Sequence, residues 1–154
     1  MKKYILLYIA LYGLNASAQV EIALLKNAQA EFMQTRKSMV LTEPIVQRGT
    51  FVYIAPDSIC WKYDGLENVN LPEQMLSLIK QAVSGNMEST KGIFDMVWHG
   101  KCLTLIPKKK QISKFFKQIS IHFNTTGVAT KVCLEEPKGD QTEIEFINMK
   151  YSTL

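Results

Sequence analysis

The sequence predicts a mainly β fold of the α+β class, built on one long antiparallel sheet with only two helices. Short segments rich in β-branched and aromatic residues recur between Gly, Pro, Asn and Asp turns along most of the chain. Most of the connections are short enough for hairpins, which pair neighbouring strands antiparallel. Only two segments have the composition or the periodicity of a helix.

The first residues have the pattern of a cleavable secretory signal. Lys2 and Lys3 precede an apolar run from Tyr4 to Leu14, and Ala16–Ala18 supplies the small residues of a cleavage site. The apolar run of about eleven residues is shorter than the roughly 20 that cross a bilayer core. We expect cleavage after the last of these alanines and one domain over 19–154 in an extracytoplasmic compartment, rather than a retained anchor.

Charge and cysteine content exclude several classes of protein. The formal net charge of +4 includes the two lysines of the leader, so the mature domain is only weakly basic and has no nucleic-acid footprint. The run Lys108–Lys110 is interpreted as a solvated turn. Three cysteines, Cys60, Cys102 and Cys133, can form at most one disulfide and lack metal-binding spacing. We expect buried thiols, no metal and no cofactor.

The first predicted element is a helix over Val20–Ala30, a segment rich in Ala, Leu, Glu, Lys and Gln that lacks Gly and Pro. Hairpin-like segments follow on both sides of a second helix. The predicted strands are Phe32–Val40, Ile45–Ala55, Ser58–Tyr63, Gly92–Trp98, Lys101–Pro107, Phe115–Phe123, Val128–Glu135 and Thr142–Met149.

The second predicted helix, Pro72–Ser84, has a proline in its first turn, Glu73 beside it and Gly85 just past its end. Its apolar residues gather on one side: Met75, Leu76, Leu78, Ile79, Ala82 and Val83. Such a stripe is typical of a helix that packs on a sheet. A mobile lid over a ligand cavity is the alternative.

No catalytic constellation is found, and we expect a protein that is not an enzyme. His99 falls in a predicted turn, and His122 alternates with apolar neighbours and should face solvent. Glu135 and Glu136 are adjacent on a strand, so their carboxylates point to opposite faces.

One face of the predicted sheet is apolar and aromatic. Ile59, Trp61 and Tyr63 share one face of their strand, and Phe51 and Tyr53 lie together on the strand before it. This surface suits a cavity for acyl chains, and it equally suits an ordinary hydrophobic core.

Several segments, in order, resemble one known family. They are Phe32–Gln34, Pro44-Ile45, Gly49–Tyr53, Pro56–Tyr63, Leu103–Lys108, Phe116–Phe123 and the closing hairpin to Asn148. Together they cover nearly the whole mature chain and resemble the outer-membrane lipoprotein carrier (LolA) family, of which this chain would be a shortened or divergent member.

The resemblance implies a curved antiparallel sheet that forms an incomplete β-barrel, covered by one or two helices. It implies a monomeric periplasmic carrier that shuttles acylated lipoproteins or other lipids from an inner-membrane releasing complex to an outer-membrane acceptor. By matching positions, the acyl-chain cavity would be lined by Phe51, Tyr53, Ile59, Trp61, Tyr63, Met75, Leu76, Ile79, Ile119, Ile121 and Phe123.

Two departures from the family keep a second hypothesis open. The arginine that helps lock the helical cover in the family is replaced by Ala55, and the linker Asp64–Leu71 is too short for the hairpin usually found there. The alternative is a non-transporting module on the same fold that senses envelope lipids or binds a protein.

Overall fold

The computed structural model describes residues 20–154, so the predicted signal sequence lies outside the described residues. Eight strands make up most of this part of the chain. They are β1 (Leu25–Lys37), β2 (Ile45–Ile54), β3 (Ser58–Tyr63), β4 (Phe94–His99), β5 (Cys102–Pro107), β6 (Gln118–Phe123), β7 (Ala129–Glu135) and β8 (Gln141–Thr153). The helices are α1 (Glu73–Ser84) and the single turn α2 (Lys110–Ser113), with a 3-10 turn at Glu88–Thr90.

All eight strands belong to one antiparallel sheet in the order β3-β2-β1-β8-β7-β6-β5-β4. The first and last strands of the chain pair at its centre, and β3 and β4 are the two edges, so the sheet curves without closing. Register shifts in the β1–β8 and β6–β7 pairs are the kind of irregularity that increases local twist and curvature. The predicted fold class is confirmed: an incomplete barrel with a helical cover.

Period-two alternation determines which side chains enter the interior. In β6, Ile119, Ile121 and Phe123 are buried, and the residues between them are half-buried on the outer face. β2 follows the same rule, with Phe51 and Tyr53 inside and Val52 exposed. The inward sets of all strands and one face of α1 merge into a single hydrophobic cluster.

The helix predicted over Val20–Ala30 is wrong, because this segment runs into β1. Burial alternates through Ala28, Ala30 and Phe32, and β1 pairs with a neighbour on each side, β2 and β8. A good helix composition is worth only a few tenths of a kcal/mol per residue. Two sets of sheet hydrogen bonds and a buried face outweigh it.

The first strand begins at Leu25 and not at the predicted Phe32, and the remaining predicted elements are found within a few residues of their expected bounds. The helix predicted at Pro72–Ser84 is α1, and Gly85 ends it with a left-handed φ of 78° and an N–H bonded to Gln81 O. None of the helices in the described part of the chain is long and apolar enough to span a membrane.

One end of the incomplete barrel is crossed by the residues that precede β1. The Ala23 N–H donates to Gly127 O at 3.0 Å. A Cβ on Gly127 would collide with the Glu21 backbone oxygen, and one on Gly85 with the Ala23 oxygen. Both glycines also have positive φ, so this close crossing depends on them. We call this the closed end.

Candidate functional site

The concave face of β1, β2 and β3 carries a cluster of aromatic rings that we call the aromatic wall: Phe32, Phe51, Tyr53, Trp61 and Tyr63. Phe32 stacks on Trp61 with ring centroids 3.8 Å apart, and Phe51 stacks on the same indole at 5.7 Å. Because Gly49 lies opposite Phe32 in the sheet, the Phe32 ring rests against its bare Cα, where no side chain would fit.

Two polar groups are buried within the aromatic wall. The Tyr63 hydroxyl donates to Gln34 Oε1 at 2.8 Å, and burial raises the pKa of Tyr63 although the Trp61 and Gln34 side chains partly offset this. The Trp61 indole N–H is buried near that hydroxyl but makes no hydrogen bond of good geometry within residues 20–154. Gln34 was missed by the sequence analysis, although it continues the alternation of Ala30 and Phe32 along β1.

The opposite part of the concave face is aliphatic. Ile119 and Ile121 of β6 are fully buried, between Leu103 and Leu105 of β5 on one side and the inward residues of β7 on the other. Phe123 continues this surface towards the closed end, where its ring lies 5.7 Å from that of Trp98. The two halves of the concave face meet at β8.

Helix α1 covers the concave face. Leu78, Ile79, Ala82 and Val83 are buried against the sheet, with Ile79 fully so. Met75 and Leu76, in the first turn, are half-buried.

Of the eleven residues predicted to line a cavity, eight are buried in the interior, and Ile59, Met75 and Leu76 are half-buried against it. They are packed against one another and against their neighbours. Their role as an acyl-chain lining stays a prediction, and it requires α1 to move.

A groove of about 420 Å³ opens at the end opposite the closed end, beside the start of α1. We call it the mouth groove. Apolar side chains and charged side chains both line it: Pro72, Met75, Phe115, Phe116 and Pro137, with Arg36, Gln74, Lys114, Glu136, Lys138 and Asp140. Its volume falls within the roughly 300–1,000 Å³ of small-molecule sites.

A second, shallower hollow of about 1,040 Å³ lies beside the edge strand β3. It is bounded by Trp61 and Tyr63 on the strand and by Leu66 and Val69 on the linker. No strand lies between β3 and α1 in the described part of the chain, so the predicted absence of a hairpin is confirmed. The β3 edge is left with unpaired backbone groups.

The contact between the helical cover and the β2–β3 turn is an ion pair. Ala55 donates a backbone hydrogen bond to Lys26 O and packs against the core. Lys80 of α1 pairs with Asp57 two residues further along that turn. At its start α1 has no side-chain cap on Pro72. Apolar burial therefore supplies most of the attachment of α1.

The outer face carries all three cysteines and His122. Cys102 Sγ lies 3.8 Å from His122 Nε2, and burial together with Glu143 raises the pKa of Cys133. Burial and Lys131 lower the pKa of His122. The expectation of buried thiols is wrong for Cys60, which is exposed, and the other two are half-buried. No group of metal-binding side chains occurs among residues 20–154.

No protein-family model and no curated protein matches the chain. Solved structures that it is similar to include an outer membrane lipoprotein-sorting protein domain from Vibrio parahaemolyticus, with 11% identity, a TM-score of 0.40 and coverage of 81% of this chain and 85% of that one. A DUF1329 family protein from Desulfovibrio piger has 13% identity, a TM-score of 0.32 and coverage of 82% and 86%.

A third similar structure is a LolA superfamily protein from Nitrosomonas europaea, with 9% identity, a TM-score of 0.27 and coverage of 84% and 88%. Two of the three descriptions name the class of protein that the sequence motifs resemble.

Proposed function

We propose that this protein is a non-enzymatic periplasmic carrier that holds the acyl chains of lipoproteins, or of related amphiphiles, between its concave sheet and α1. The single observation that carries the proposal is the contiguous hydrophobic cluster of the concave face under one helix whose attachment is mainly apolar. Hydrocarbon could replace the apolar part of that attachment.

The free energy needed to move α1 off the sheet sets the smallest acyl ligand that can displace it. Leu78, Ile79 and Val83 are the large side chains that α1 buries. Exposing each costs about 1.5–3 kcal/mol, or about 4.5–9 kcal/mol for the three. At about 0.8 kcal/mol per buried methylene, about 6 to 11 methylenes offset this cost. This is an upper estimate, because the displaced helix would cover the ligand.

Chain length is therefore the sharpest test of the carrier. We expect diacyl peptides with one common peptide and chains of 4, 8, 12 and 16 carbons to bind only from intermediate lengths upwards, by calorimetry below their micellar concentrations. Native mass spectrometry of detergent-free protein should find a single complex that contains one protein and one diacyl peptide. Failure of even the longest chains to bind saturably would remove the proposal.

Two matched variants of the β2–β3 hairpin test the concave face as the binding surface. Ile59 is half-buried on the inner side of β3, and Ile54 is 54% exposed on the outer side of β2. We expect Ile59→Asn to weaken binding of the long-chain peptide by tenfold or more, and Ile54→Asn to leave it unchanged. Equal effects of the two variants would place the ligand elsewhere.

The packed interior favours a second candidate, a module on the same fold that binds a protein without carrying lipid. The rings of Phe32 and Trp61 are buried and stack directly on each other in the interior. In that case no acyl peptide would bind, and the exposed edge of β3 would be the expected contact for a partner strand.

A further inference from the structure

The turn between β1 and β2 presents three consecutive apolar side chains to solvent. Met39 is 79% exposed, Val40 is 89% exposed and Leu41 is 48% exposed. We call Met39–Leu41 the hairpin tip. Single exposed apolar residues are common, but a contiguous run at a protruding turn marks a site of interaction.

The hairpin tip is held in place by the turn between β7 and β8. The Met39 N–H donates to Asp140 Oδ1 at 3.2 Å, and Asp140 also pairs with Arg36 at 3.5 Å. The Met39 side chain lies against Gly139 in the same turn. The tip is thus fixed beside the mouth groove, which Asp140 and Lys138 also line.

A second apolar side chain lies across the mouth groove in a basic segment. Phe115 is 50% exposed and lines the groove with Lys114 and Lys138. Lys109 and Lys110 precede it, both exposed. In the described part of the chain these four lysines make no ion pair, whereas the flanking lysines at 108 and 117 are paired with acids.

The acids at this end of the barrel make no ion pair with these four lysines. Glu136 and Asp140 are both bound by Arg36. The other acids at this end lie outside ion pairs. They are Glu43 in the tip turn, Asp64 and Glu67 in the linker beside β3, and Glu73 at the start of α1. Lys114 and Lys138 line the groove, and the exposed Lys109 and Lys110 lie just before Lys114 in the chain, so this end of the barrel carries four lysines outside ion pairs.

We propose that the mouth end of the barrel docks on an anionic phospholipid bilayer. Val40 and Phe115 enter the interface, and Lys109, Lys110, Lys114 and Lys138 contact the head groups. The bilayer has an anionic head-group layer above an apolar interior. The lysines match the head groups, and the apolar side chains match the interior. This inference goes beyond the carrier proposal and can hold whatever the interior binds.

Flotation with protein-free vesicles tests the docking. We expect the mature protein to bind vesicles of phosphatidylethanolamine and phosphatidylglycerol, not vesicles of phosphatidylcholine alone, and to bind less as salt screens the charges. Val40→Asp should weaken binding about tenfold or more, because a side chain that the bilayer would bury is replaced by an anion. Lys109→Gln with Lys110→Gln should weaken it roughly 25-fold, about fivefold per lysine.

The control is Ile54→Asp, which places the same charge at an exposed apolar position of β2 far from the tip and should bind vesicles normally. Absence of binding to anionic vesicles would overturn the inference, as would equal losses in Val40→Asp and Ile54→Asp. Binding to native membranes alone, abolished by protease treatment of those membranes, would identify a protein partner and also overturn it.

Long-chain diacyl peptide binding in solution is measured on the same variants. Val40→Asp should retain it in full. If the unmodified protein binds the peptide but not anionic vesicles, this inference fails and the carrier proposal stands. If it binds the vesicles but not the peptide, the carrier proposal fails and this inference stands.

Discussion

Replacing Ile79 by alanine is the most direct test of whether apolar burial holds α1 on the sheet. Ile79 is completely buried at the middle of the helix. Its neighbour Lys80 is half-buried and forms the ion pair with Asp57. Lys80→Ala is therefore a control, one residue away on the same helix, that removes the ion pair together with the packing of the lysine stem.

The two changes differ in expected size. Truncating a buried isoleucine to alanine costs about 2–5 kcal/mol. Alanine is the better helix former by a few tenths of a kcal/mol, so the helix itself is not weakened. The Asp57 side chain is 78% exposed, and an ion pair at such a site is worth about 0.2–1 kcal/mol.

Hydrogen exchange measured by mass spectrometry reports how often α1 opens. A loss of 2 kcal/mol increases the open population roughly 30-fold, since each 1.36 kcal/mol is a factor of ten. We expect at least that acceleration for Glu73–Ser84 in Ile79→Ala and no more than about fivefold in Lys80→Ala. The amides of β8, at the centre of the sheet, serve as the reference for global unfolding.

Two results would refute this reasoning. If Ile79→Ala accelerates exchange in α1 no more than Lys80→Ala does, the ion pair is the main attachment of the helix. If α1 and β8 exchange together in the unmodified protein, α1 leaves the sheet only when the whole domain unfolds, and it is not a movable cover.

Gly49→Ala should lower the free energy of unfolding, measured by urea denaturation, by about 1–3 kcal/mol, because the new Cβ meets the backbone of β3. The control Gly92→Ala, where the new Cβ has open space, should leave the free energy of unfolding unchanged. Tyr63→Phe should cost about 1–3 kcal/mol in the same assay, since Gln34 Oε1 loses its buried donor. Burial keeps the pKa of His122 below 6.5, so the unfolded chain binds more protons and stability should fall as pH drops below 6.5. A His122→Gln variant with an unchanged pH profile would contradict this last expectation.

The strands were predictable from the sequence because their alternation is regular. In β6, Ile119, Ile121 and Phe123 are separated by polar residues, so one buried face could be inferred without knowing its neighbours. Helix α1 was equally clear, since Gly85 and the proline at its start mark both ends. These signals lie within single segments of the chain.

The parts that could not be predicted depend on residues far apart in sequence. Ala28 and Ala30 have helical propensity, and they become strand because β1 pairs with β2 on one side and with β8, more than a hundred residues later, on the other. The ion pair of Lys80 with Asp57 has no local signature, because each is an ordinary surface charge in its own segment. The mouth groove is likewise formed by α1, the basic segment and the β7–β8 turn together.

The two ends of the barrel differ in a way that would give the proposed ligand exchange a direction. At the closed end, the backbone of 21–23 occupies the places that side chains on Gly85 and Gly127 would take, so a ligand would have to displace main chain there. At the other end Pro72, the residue before α1, provides no side-chain cap, and Met75 is only half-buried beside the groove. Opening a helix from a frayed end breaks fewer contacts than lifting it whole. We therefore expect α1 to open from its first turn, so that an acyl chain enters through the mouth groove on the side where the lysines and the hairpin tip would meet a membrane.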